Sequence, residues 1–252
     1  MPRLVRSSLL LSLLAVTAAC GGDAGPSRTF INIGTAPPGG AFFVVGSALG
    51  EVLAATGAAQ GWQVTAEATS GSQENIRRLT QGELDFALSN AAITYFAVRG
   101  GEGWDREYPM RSVMTLAPNV ALFLAPKNGP VQSIADLRGR RVVIGPAGAG
   151  FEYFVQPILA AHGVSYTDFT PLNATQAASV DMLTDGSAAA VFLGGAIPTA
   201  SITQAASSMD LTYVPFDEEA RMRLASEYSF FAPATIPAGT YRGQDADFQG
   251  LD

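Results

Sequence analysis

Cysteine and histidine are almost missing from this chain, one of each in 252 residues, and only 15% of the residues are charged. A lone cysteine excludes an intrachain disulfide, so core burial must hold the fold together. One histidine and one cysteine also cannot build the usual zinc or iron ligand sets, and DADFQGLD lacks the spacing and glycine of an EF-hand loop. No cofactor is expected. His162 closes FVQPILAAHG just before Gly163, where its partial charge suits a helix C-terminus, and no nucleophile stands out with a base beside it. The reading is therefore not an enzyme. Anions outnumber cations 22 to 15, and both are scattered. This argues against nucleic acid as a partner.

No stretch beyond the first 20 residues is long and apolar enough for a transmembrane helix. Those 20 residues, MPRLVRSSLLLSLLAVTAAC, combine two arginines, an apolar core and small residues, the pattern of an export signal. Thr17-Ala18-Ala19-Cys20 resembles a bacterial lipobox, although leucine is commoner than Thr17 at its first position. Lipidation of Cys20 is the favoured reading, and an ordinary soluble export signal is the competing one. Residues 21–29 then form a polar, glycine-rich tether. Removal of Arg3 and Arg6 leaves 13 cations against 22 anions, a mature charge of -9. The membrane is expected as a partner only through that lipid anchor.

What the sequence does have is rhythm. From Phe30, short β-type runs alternate with helix-like ones: FINI with FFVVGSALGEVLAATG, WQVTAEA with SQENIRRLTQG, LDFALS with AAITYFAVRG. After SVMTLA and VALFLAP the alternation resumes with RRVVIG, TDFTPL, AAAVFLG and LTYVPF, each followed by a helical run. Such alternation predicts βαβ units and a largely parallel sheet. Two series separated by a Pro- and Gly-rich stretch predict two α/β lobes, joined through VALFLA as a crossing strand. The expected boundaries are 30–118 plus 233–252 for the first lobe and 119–232 for the second. Ligands of open α/β sheets bind beyond the carboxyl ends of the strands, so facing lobes place the site in the cleft between them.

The loops at those carboxyl ends are small and rich in glycine. In GTAPPGGAFF, Gly34 and Gly39 have the spacing of a Walker A loop, but Gly40 and Ala41 replace its lysine and hydroxyl residue. TSGSQEN and GPAGAGFE sit in corresponding places, each just before a predicted helix. Helix N-termini present unpaired N–H groups and partial positive charge, which suits a carboxylate or phosphate. Gly39 and Gly40 would supply main-chain donors and Thr35 a hydroxyl. Ser72 is either a ligand contact or a helix N-cap, and Asn75 lies in the first turn beside it. Asn90 offers both donor and acceptor at the end of the third strand. Gly148, Ala149 and Gly150 would close on the same anion through their main chain, and Phe151 either covers an apolar part of the ligand or belongs to the core. Arg77 and Arg78 are candidates to pair with a carboxylate, while Glu83 and Asp85 look structural.

Taken in order, these segments resemble the TAXI family: Gly34-Thr35 through Gly39-Gly40 with an aromatic at Phe42 or Phe43, Thr69 to Asn75, Gly82 to Asp85, DLRGRRV from Asp136, Val143 to Gly150, and Ile236 to Tyr241. TAXI proteins are the extracytoplasmic solute receptors of TRAP-type transporters. The resemblance spans Phe30 to about Asp247. It implies a type II periplasmic-binding-protein fold with a hinge, and an exported, periplasmic or membrane-anchored receptor. It also implies a small organic anion as ligand (dicarboxylate, 2-oxoacid or acidic amino acid), TRAP membrane subunits as partners, and a monomer. A tethered ligand-sensing module for a signalling receptor is the alternative, followed by an enzyme on the same fold.

The chain departs from that family at Ala92, where an aspartate is common, at Ala149-Gly150-Phe151 in place of Ser-Gly-Thr, and at Phe42 or Phe43 in place of a tyrosine. Phe42 therefore joins the ligand-facing candidates, and the pocket is expected to be more apolar than usual. The family also continues for several dozen residues beyond the point where this chain stops at QGLD. The sequence is accordingly read as a fragment with an exposed apolar patch on the first lobe.

Overall fold

The computed structural model describes residues 27–101 and 103–252. The expected export signal, the lipidation site Cys20 and most of the tether lie outside the described residues.

The first unit follows the expected alternation. Strand β1 (Thr29–Gly34) leads to helix α1 (Ala41–Thr56), β2 (Trp62–Glu67) to α2 (Ser72–Thr80), and β3 (Phe86–Ala87) to α3 (Ala91–Ala97). The sheet has the order β2-β1-β3, with both pairs parallel. Each helix starts where a strand ends, so α1, α2 and α3 share one rim of the sheet. Local chemistry fixes two of those starts. Asn90 caps α3 by accepting from the N–H groups of Ala92 and Ile93. Glu74, in the first turn of α2, accepts from the N–H of Ser70 at 2.9 Å.

The second unit is a seven-stranded mixed sheet. Its elements are β4 (Val120–Pro126), β5 (Arg141–Gly145), α4 (Phe151–Ala161), β6 (Thr170–Asn173), α5 (Gln176–Thr184), β7 (Ala190–Gly195), α6 (Ala200–Ser208), β8 (Leu211–Val214), α7 (Glu218–Glu227), β9 (Pro233–Ile236) and β10 (Phe248–Leu251). The order is β6-β5-β7-β4-β10-β9, with β8 also on β4. Strands β5, β6 and β7 run parallel, whereas β4 is antiparallel to β7, β8 and β10.

Strand β4 shows why the apolar runs are nearly continuous here. Phe123 points into a cluster with Phe154, Ile158, Leu159 and Leu224, while Leu122 and Leu124 point into another with Val180, Leu183 and Ile202. Helices α4 and α7 cover one face of the sheet and α5 and α6 the other, so both alternating sets are buried. Burying each such side chain stabilises the fold by about 1.5–3 kcal/mol.

Three expectations change. VALFLA does not cross between lobes: β4 lies inside the second sheet, because a strand apolar on both faces is stable only where both are covered. Residues 233–252 do not return to the first sheet. Phe248 pairs with Ile236 and Leu251 with Ala121, and all of these side chains are buried in the second unit. SVMTLA forms no strand. It finds no partner among the described residues, and Val113 and Met114 are 70% and 61% exposed. Other exposed apolar side chains of the first unit are Phe30, Val44, Val52 and Phe86.

A third cluster joins the two units. Ile76, Ile93, Phe96, Trp104 and Tyr108 of the first pack with Tyr153 at the start of α4. Trp104 stacks on Tyr153 with ring centroids 5.7 Å apart and planes at 23°. No helix among the described residues is long and apolar enough to cross a membrane.

Candidate functional site

A cleft lies between the two units at the carboxyl ends of their strands, with about 560 Å³ of empty volume counting the part open to solvent. The first unit lines it with Ala41 and Phe42 at the start of α1, Gly71 and Ser72 at the start of α2, and Asn90 and Ile93 at the start of α3. The second contributes Asn119 and Ala121 from the entry to β4, Phe151 and Phe154 from α4, Gln176 at the start of α5, and Phe192, Gly194 and Gly195 from β7. These residues meet because every crossover delivers its helix N-terminus to the same rim.

Among the described residues, no Asp, Glu, Lys or Arg lines the cleft. The candidate cations are engaged elsewhere. Arg78 binds Glu67 at 2.6 Å and Glu83 at 3.0 Å, and these hydrogen bonds, led by that to Glu67, raise its pKa further. Arg77 donates to the Tyr108 hydroxyl at 3.0 Å and lies over the Trp104 ring. Asp85 is structural, accepting from the N–H of Asn32.

The polar groups of the lining are mostly donors. Ser72 is not the N-cap of α2, which is Gly71. Its oxygen accepts from the N–H of Asn90 at 3.0 Å, and its side chain is almost fully buried. The Ser72 O–H meets no acceptor among the described residues, and neither do the main-chain N–H groups of Ala41, Phe42, Ser72 and Phe151. Carboxamide oxygens are mostly occupied: that of Asn90 caps α3, and that of Gln176 accepts from Ser201 at 2.7 Å.

Of the residues expected at the site, Phe42, Ser72 and Asn90 line the cleft. Thr35 and Asn75 stand behind it, fully buried. The Thr35 hydroxyl donates to the carbonyl of Glu67, and the Asn75 amide donates to the carbonyls of Thr35 and Leu88, both at 2.8 Å. They tie the ends of β1, β2 and β3 into one platform. Gly39 and Gly40 lead into α1 without lining the cleft. Gly148, Ala149 and Gly150 form the loop that meets the first unit, where the Ala149 carbonyl accepts from the N–H of Gln73 at 3.1 Å. Phe151 packs on the core, as one of its two readings had it, and also lines the cleft. Asn119, Phe154, Gln176, Phe192, Gly194 and Gly195 carried no motif. Applying the same strand-end rule to β6 and β7 points to Gln176, Gly194 and Gly195. No comparable signal marks Phe154 or Phe192.

Residues 33–251 match the family model described as the NMT1-like family. Among solved structures, the chain is similar to a binding protein component of an ABC phosphonate transporter from Pseudomonas aeruginosa, with a TM-score of 0.53 and 13% identity over 90% of this chain and 83% of that one. It is also similar to the alkanesulfonate-binding protein SsuA from Xanthomonas axonopodis pv. citri bound to MOPS, with a TM-score of 0.51 and 18% identity over 74% and 61%. The periplasmic aliphatic sulphonate binding protein SsuA from Escherichia coli gives 0.47 and 16% over 75% and 60%. The chain thus spans about 60% of the length of each of these two sulfonate-binding proteins. The architecture is the α/β periplasmic-binding-protein fold.

Proposed function

The chain belongs to the NMT1-like family, and on that premise we propose that it is an exported receptor that captures a small organic anion in the cleft between its two units. The observation that carries this reading is the cleft itself: donors from both units converge on it, and their protons meet no acceptor among the described residues. Closure on a ligand that contacts both units, and so binds the closed form more tightly, is how such a cleft signals occupancy.

The membrane partner is a transporter. The TAXI resemblance supports TRAP-type subunits driven by an ion gradient. The likeness to a component of an ABC phosphonate transporter supports a second reading, delivery to an ATP-driven one. Proteoliposome uptake with an ion gradient but no ATP, and then the reverse, separates the two. The lobe boundaries follow the sheets in this reading, with the first ending near residue 118 and the second running from 119 onward. Export with a lipid on Cys20 would tether the receptor beside its transporter, and mass spectrometry of the native N-terminus tests that.

The receptor reading itself is tested by thermal unfolding against dicarboxylates, 2-oxoacids, amino acids, sulfonates, phosphonates and aromatic acids. A true ligand at 100 times its dissociation constant adds about 2.7 kcal/mol of stability. If no solute in this broad panel raises the melting midpoint, the receptor reading fails.

A further inference from the structure

We infer that the ligand is an organic monoanion with an aromatic or branched apolar body, rather than a dicarboxylate or an acidic amino acid. This rests on the receptor reading and narrows it. The apolar side of the argument comes from four phenylalanines. Phe151 and Phe154 both pack on Phe192, with centroids 6.1 Å and 5.9 Å apart, and form one wall from the second unit. Phe42 enters from the first unit at the start of α1. Such a lining gains by removing an apolar body from water and has little to offer a polar one.

The polar side is donor-rich and uncharged. Ser72 is only 4% exposed, and its side-chain oxygen already holds the Asn90 N–H. Only its proton remains to be given, and it has no acceptor among the described residues. Helices α1, α2 and α4, of 16, 9 and 11 residues, begin on the cleft with the N–H groups of Ala41, Phe42, Ser72 and Phe151 unmatched among the described residues and with the partial positive charge of their dipoles. Together these groups can satisfy one carboxylate or sulfonate.

A second negative charge would find no counterpart, because no Arg or Lys lines the cleft among the described residues. Burying a carboxylate without a partner is strongly unfavourable. The ammonium group of an amino acid fares little better: among the described residues the lining has no carboxylate, and of its three carboxamide oxygens those of Asn90 and Gln176 are already engaged, which leaves that of Asn119 alone. One charge, one end and an apolar remainder are what the cleft accommodates.

The test is isothermal titration of the full-length protein with phenylacetate, benzyl alcohol, succinate and L-glutamate. Phenylacetate should bind at least about tenfold more tightly than each of the others, as expected when a buried polar site matches one ligand and not its analogues. Phe42→Ala and, independently, Phe151→Ala should each weaken phenylacetate by about tenfold. Both side chains are half-buried, and circular dichroism will show whether each variant folds. Tighter binding of succinate or glutamate overturns the class while leaving a receptor. Failure of phenylacetate to bind also overturns it, and the broad unfolding panel then reads whether the receptor proposal falls too. Unchanged phenylacetate affinity in both folded variants overturns it as well.

Discussion

The main-chain N–H of Gln73 donates to the carbonyl oxygen of Ala149 at 3.1 Å, joining the first turn of α2 to the loop before α4. The Gln73 side chain reinforces this link by donating to the Tyr153 hydroxyl at 3.2 Å. One residue therefore reaches across the cleft twice, and its neighbour Ser72 lines that cleft.

Gly150 makes that approach possible. Its φ is +85°, and a Cβ there would lie 3.2 Å from both Gln73 Cβ and Ile93 Cγ2. Gly150→Ala is expected to cost about 1–2 kcal/mol from the left-handed backbone alone. Pressure on the facing unit should also shift the pair of units toward an open arrangement. A lower melting midpoint with a larger radius of gyration in small-angle scattering is the expected result. An unchanged radius would show that this contact does not hold the units together.

Gly34 is constrained by crowding rather than by its backbone. A Cβ there would fall 2.5 Å from Leu84 Cδ1 and 2.6 Å from Asn75 Oδ1. Gly34→Ala should therefore displace Asn75 and cost about 1–3 kcal/mol. Asn75→Ala, which removes the donor to the Thr35 and Leu88 carbonyls, should cost about as much. The double variant should cost clearly less than the sum, because both changes break the same tie. Full additivity in urea denaturation would refute the shared mechanism.

Tyr213 stacks on Tyr241, and its buried hydroxyl has no hydrogen-bond partner among the described residues. Burial, helped by the proximity of Tyr241, pushes its pKa up to about 12. The folded value lies above the unfolded one, near 10, so its effect on stability is constant below about pH 10 and unfavourable as pH rises from there through about 12. Tyr213→Phe should lose a step near pH 12 from an ultraviolet tyrosinate titration. At neutral pH the variant should be about 1 kcal/mol more stable, since an unmet hydroxyl disappears.

Asp136 behaves in the opposite sense. The N–H of Gln132, followed by the hydroxyl and N–H of Ser133, all donate to its carboxylate and hold its pKa below the usual aspartate value. A depressed folded value means that the contribution is present above the unfolded pKa and is lost as pH falls through the folded one. Asp136→Asn should thus be less stable than the parent at about pH 6, with the gap closing as pH falls below the ordinary aspartate value of about 4. A gap that persists in acid would rule out this origin.

The alternation of β1, α1, β2 and α2 was legible because each apolar run stops at a glycine turn that begins a helix. The fate of VALFLA was not, since a run that is apolar on both faces says it is buried and not which strands flank it. SVMTLA has strand composition but no partner strand among the described residues, and composition cannot supply one. The hairpin of β9 and β10 depends on Phe248 meeting Ile236, a pairing no local pattern announces. At the site, Phe42, Ser72 and Asn90 could be read from strand-end loops. Thr35 and Asn75 occupy similar places in sequence but face inward, a choice made by packing. Phe154 and Phe192 look like core residues because they also serve as core.

The stacking of Trp104 on Tyr153 gives the protein an optical gauge of its own state. The chain has two tryptophans, and Trp62 rests against Gly57 within the first unit. Only Trp104 shares its environment with the opposite unit. When the units part, its indole loses a ring neighbour and gains water, so its emission should move to longer wavelength while that of Trp62 stays put. Ligand-driven closure could then be followed in real time without attaching a dye.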